Sequence, residues 1–113
     1  MVSQHSKVLS KALDIYETKM QDYQNPKSSV KQVDYYPRGV LTILDIMHGK
    51  MLRLRSLIEA YEHNPNHSPN YESLEDNVLD LINYAAFFIT FLDEKMVGQD
   101  NNKDMLNRSK DGY

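Results

Sequence analysis

Apolar residues return at steps of three and four through three stretches of the chain, with polar turn signals between them. In the first stretch Val8, Leu9, Ala12, Leu13, Tyr16, Met20 and Tyr23 keep this spacing, which predicts a helix over about 6–23 with Ser3 or Ser6 as its cap. Asn25-Pro26, Ser28-Ser29 and Tyr36-Pro37 then mark a loop over 24–38 with room for one short helical turn. A loop of this length inside a compact domain is often functional. Val40, Ile43, Leu44, Met47, Met51, Leu54, Ile58 and Tyr61 define a second, long amphipathic helix over 39–61, interrupted in its interior only by Gly49. After a Pro/Asn turn over 63–70, a third helix is predicted to run to about Met96. Ser73 with Asp76 three residues on resembles a capping box at its start, and Asn70 is a competing cap. Beyond Gly98 the chain stays polar to Tyr113, so a frayed tail or a weak terminal helix holding Met105 and Leu106 is expected.

The third helix has two faces of different kinds. Leu74, Val78, Leu81, Ile82, Ala85, Ile89 and Leu92 form one apolar stripe, while Glu72, Asp76 and Asp80 stack four apart on the other side with Asn83 beside them. Leu79, Ala86, Phe87 and Phe88 flank the acids, so the helix is apolar almost all round and is expected to be central and buried. Three periodic helices without strand-like alternation predict an all-α fold, a small bundle of three long helices. Phe87, Phe88 and Phe91 lie outside the main stripe, which predicts a partner subunit covering them and a homodimer that completes the bundle. We read one domain over 1–97 and a polar C-terminal tail over 98–113.

Composition narrows the class of function. The 113 residues suffice for one core. With a net charge of −3 the chain lacks the general positive field that holds long nucleic acids. No cysteine is present, which removes disulfide and thiolate chemistry and is compatible with a reducing cytoplasm. The N-terminus shows no apolar secretory core and the longest apolar run, over 84–92, is too short to span a bilayer. The expectation is therefore a cytoplasmic protein with no membrane partner.

Buried like charges need cations. Helix two offers them: its polar side carries Asp45, Lys50 and Arg53, and the last two, three apart, can lean toward one point. Gly49, four residues after Asp45, either permits close helix packing or keeps access to that carboxylate open. If helices two and three pack antiparallel, Lys50 and Arg53 face the acid ladder and form a mixed-charge pocket suited to a nucleoside phosphate with Mg²⁺. A plainer reading stands beside this one. Acids in a first helical turn, such as Glu72 and Asp76, are favoured by the helix dipole anyway, Glu75 is solvated, and Asp80 can simply form a salt bridge to Lys50 or Arg53.

The array Asp45, Lys50-Met51-Leu52-Arg53-Leu54, followed by Glu72-Ser73-Leu74-Glu75-Asp76-Asn77-Val78-Leu79-Asp80-Leu81-Ile82-Asn83-Tyr84-Ala85, resembles the phage and bacterial family called nucleotide modification associated domain 1. An earlier Lys19-Met20-Gln21-Asp22-Tyr23 matches that family's Lys-x-x-Asp-Tyr, so the resemblance spans about 6–95. The family in turn resembles the all-α nucleotide pyrophosphohydrolases of the MazG and dimeric dUTPase type. What the resemblance implies is a dimeric nucleotide-binding protein in which Glu72, Asp76 and Asp80 are metal-ligand and catalytic candidates toward Mg²⁺. Lys50 and Arg53 become phosphate contacts, with Asp45, Asp22, Tyr23, Asn83 and Tyr84 as further substrate-site residues. Two departures bear on the activity. Helix two lacks the acidic pair of the hydrolases, offering only Asp45 on its polar side, and Gln24 replaces the glycine that follows the family's Asp-Tyr. Both touch hydrolysis more than nucleotide binding. Three functions are thus open: a Mg²⁺-dependent nucleoside phosphate hydrolase, a non-catalytic phage protein that binds or sequesters a nucleotide, and a helical protein-interaction module.

Overall fold

The computed structural model describes residues 2–23, 25–64 and 71–111, and of Asp22, Tyr23, Tyr71 and Glu72 the backbone alone. It is all-α. Helix α1 spans Gln4–Tyr23, a 3-10 turn Gln32–Tyr35, α2 Val40–His63 and α3 Tyr71–Leu92. No strand forms among the described residues; Lys103 and Ser109 make an isolated antiparallel bridge.

Each helix end has a local cause. Ser3 caps α1, its hydroxyl accepting the Ser6 amide at 3.1 Å. Gly39 precedes α2 with φ +61°, and a Cβ there would lie 2.2 Å from the Met105 carbonyl oxygen. Only glycine fits. Helix α3 stops at Leu92, short of the expected Met96, because Glu94 turns left-handed at φ 59° and the Lys95 amide closes onto the Thr90 carbonyl at 3.1 Å.

Helices α2 and α3 run antiparallel, since Lys50 meets Asp80 while Gly39 lies against Phe91 at the other end. Between them Tyr36, Val40, Ile43, Phe91 and Met96 form the core, with Ile46, Met47, Tyr84, Phe87, Phe88 and Leu106 packed around it. This corrects the expected facing of α3. Phe91 is 1% exposed, whereas Val78, Ile89 and Leu92 from the predicted stripe are 43%, 59% and 46% exposed. A helix that is apolar nearly all round does not encode which side turns inward, and the bulky aromatics win because each removes the most surface from water. Phe91 is therefore covered by its own chain.

The segment after α3, expected to fray, instead packs back over the start of α2. The Val40 amide donates to the Met105 carbonyl at 3.0 Å, Asn107 Nδ2 to the Pro37 carbonyl at 2.9 Å, and Gln99 Nε2 to the Phe91 carbonyl at 2.9 Å. Asp104 holds the last turn by accepting the amides of Leu106 and Arg108 and pairing with the Arg108 side chain. Those donors, the Arg108 amide foremost, hold its carboxyl below the usual range.

Candidate functional site

Asp80 lies mid-way along α3, and its carboxylate is 23% exposed. Both oxygens are taken by ammonium groups. Lys50 of α2 donates to Oδ2 at 3.0 Å, and Lys19 of α1 donates to Oδ1 at 3.1 Å. Burial by itself would raise the Asp80 pKa, but the hydrogen bonds and charges of Lys50 and Lys19 outweigh it and hold the carboxyl below its ordinary value. One anion thus ties three helices together, and it does so against two cations.

The aromatic side of the cluster is Tyr84, one turn beyond Asp80. Its ring centre lies 5.8 Å from Lys50 Nζ, within the range of a cation–π contact, and packs edge-on against Phe87 at 5.5 Å. Burial pushes the Tyr84 phenol above its ordinary pKa. Asn83 donates Nδ2 to the Ala12 carbonyl at 3.0 Å, fixing α1 against α3 at the position three residues beyond Asp80.

The sequence-derived residues therefore separate into groups. Lys50, Asp80, Asn83 and Tyr84 come together. Asp45, Arg53 and Asp76 are exposed and make no ion pair among the described residues. The side chains of Asp22, Tyr23 and Glu72 lie outside the described residues. Among the described residues no three carboxylates or histidines gather into a group that could hold a metal ion. The described donor set around Asp80 is that of an ion-pair cluster. Glu75 is exposed, as expected, and pairs with Lys11 at 2.8 Å.

Lys19 was not among the site residues read from the sequence. Its signal was present as the first residue of the Lys-x-x-Asp-Tyr motif, but no spacing rule relates a lysine on one helix to a carboxylate on another. Gly49 is also reassigned: a Cβ there meets nothing within 4 Å, so close packing does not explain it.

Fold and site together define a small antiparallel helical protein with a dibasic cluster on a single half-buried carboxylate. The chain matches no protein-family model, no curated protein and no solved structure. No helix among the described residues is long and apolar enough to cross a membrane.

Proposed function

We propose that the protein binds a nucleoside phosphate at the Lys19–Lys50–Asp80 cluster, as a nucleotide-binding protein of phage or bacterial nucleotide metabolism. The observation that carries this reading is the convergence of two lysines from different helices on one carboxylate beside the Tyr84 ring. Two ammonium groups carry up to six N–H donors, and Asp80 accepts from each lysine only once, so donors remain for phosphate oxygens. Lys19 is about half exposed, which leaves a route for an anion to reach it. Arg53, exposed one turn beyond Lys50, adds a third cation within reach of a polyphosphate. The motif resemblance to nucleotide modification associated domain 1 points to the same ligand class.

The hydrolase form of this reading asks for more. A Mg²⁺ ion brought in on the phosphates would be held by Asp80 with Asp76 and Glu72, and would polarise the phosphoanhydride there. A binder that sequesters its nucleotide needs no metal, and the pairing of Asp80 with two lysines favours it. The homodimer belongs to the same proposal, supported by exposed apolar side chains such as Leu44, Met51, Ile58 and Val78.

Titration calorimetry with nucleoside triphosphates, with and without Mg²⁺, tests the reading. Binding by the wild type that falls about tenfold or more in Lys50→Ala supports it; no binding by the wild type, or binding in Lys50→Ala and Lys19→Ala that equals the wild type's, removes it and leaves the interaction module. Phosphate release from the tightest ligand, present only with Mg²⁺ and lost in Asp76→Ala, separates enzyme from binder.

A further inference from the structure

The 3-10 turn contributes one side chain that the cluster does not explain. Gln32 is 4% exposed, and its Nε2 is buried with no hydrogen-bond partner. A buried amide left unpaired costs on the order of a hydrogen bond, so native proteins seldom keep one without a use. The turn that carries it is well fixed: the Lys31 amide donates to Asp34 at 2.8 Å and the Val33 amide to the Val97 carbonyl at 3.2 Å.

Gln32 forms part of the wall of a cavity of about 230 Å³ between α1 and α3. That is far more than the ~30 Å³ of one water, and below the ~300 Å³ at which pockets begin to take drug-sized ligands. Tyr16 and Phe87 supply flat apolar walls, their ring centres 5.7 Å apart and tilted by 53°. Asn83 is also in the wall. Its Nδ2 is committed to the Ala12 carbonyl, which turns Oδ1 into an acceptor with no donor among the described residues. The space thus has room for a single heterocycle, aromatic walls, an unpaired amide nitrogen on Gln32 and an open amide oxygen on Asn83. Side-chain amides pair with base edges, and aromatic or apolar walls stack on base faces.

We propose that this cavity receives the base of the nucleotide whose phosphates lie on Lys19 and Lys50. The proposal rests on the nucleotide-phosphate reading and extends it to the other end of the ligand. Tyr16 precedes Lys19 by three residues on α1, and Asn83 follows Asp80 by three on α3. Residues at that spacing are about 5–6 Å apart between Cβ atoms, the reach of a sugar between base and first phosphate. Rotation about the broad terminal torsion of Gln32 presents its Nε2 to a ring nitrogen or carbonyl of the base.

Calorimetry with ATP, GTP, CTP and UTP, their parent nucleosides and tripolyphosphate tests it on wild type, Gln32→Leu and Ala86→Phe; Ala86 is an exposed wall residue whose enlargement fills the space. At least one nucleotide should bind about tenfold or more tighter than tripolyphosphate, and both variants should erase that preference while tripolyphosphate binding stays within about twofold. A preference that is absent, or unchanged in both variants, overturns the base assignment while the phosphate reading survives. Nucleosides that bind as well as their triphosphates, sensitive to Ala86→Phe and insensitive to Lys50→Ala, uphold the cavity and remove the phosphate site. No binding of any probe removes both. Thermal unfolding keeps Gln32→Leu interpretable, because loss of an unpaired buried amide should leave its midpoint unchanged or raised.

Discussion

Asp80 is held by lysines from two other helices, so its protonation is coupled to folding. Its folded-state pKa is depressed, and a depressed carboxylate contributes stability that is fully present above its unfolded value of about 3.9. That contribution is lost as pH falls below about 4 and through the folded value. Asp80→Asn should therefore cost about 1–2 kcal/mol at pH 7, between exposed and buried pairs. The cost should shrink as pH falls below about 4, which urea melts across the acid range would read. A cost that does not change with pH would mean that the site stabilises by packing alone. Two glycines make an opposite pair of residue-scale expectations. Gly49 faces open space inside α2, so Gly49→Ala should stabilise by about 1 kcal/mol through helix propensity. Gly39 has positive φ and no room for a Cβ, so Gly39→Ala should destabilise by about 1–3 kcal/mol, with both read as shifts in thermal midpoint.

At the scale of elements, the three helices were legible because their apolar period runs over many turns. The rotation of α3 was not. Its stripe and its aromatic side are both apolar, and periodicity fixes a face only where the opposite face is polar. The packing of the segment after α3 was equally hidden, since Met96-Val97 and Met105-Leu106 are short apolar pairs in a polar run and the burial of Met96 and Leu106 depends on where Gly39 and Phe91 lie. Half of the cluster was readable: Lys50 and Asp80 follow from antiparallel packing, while Lys19 depends on how α1 crosses α3. Gln32 left no signal, because a glutamine beside turn residues reads as solvated. The rotation has a direct consequence for truncations along α3. Phe91→Ala should cost about 3–5 kcal/mol as a core deletion, whereas Ile89→Ala, at 59% exposure, should stay within about 0.5 kcal/mol. Denaturant midpoints of the two variants decide between the observed facing and the striped one.

The whole molecule is long for its size. Its axes measure 57 × 35 × 30 Å and its radius of gyration is 17.1 Å, against about 13 Å for a compact domain of some 100 residues. Such a shape leaves apolar surface uncovered. Val8, Leu54, Ile58, Leu74 and Val78 line an open groove of about 830 Å³ where the three helices diverge, away from the core around Phe91. A second copy laid into that groove would cover Ile58 and Val78 on both chains through one two-fold operation. Sedimentation equilibrium should then give twice the 13.2 kDa chain mass for the wild type. Ile58→Asp or Val78→Asp should return it to one chain with helical circular dichroism retained, since both side chains are already nearly half exposed in the protomer. A wild type that remains at one chain mass at roughly 100 times the micromolar level, or a variant that loses helicity with mass, would refute this face as the interface. Because Lys19, Lys50 and Asp80 all come from one chain, the monomeric variants should still bind the phosphate probe. Loss of that binding on dissociation would instead place part of the ligand site across the two-fold.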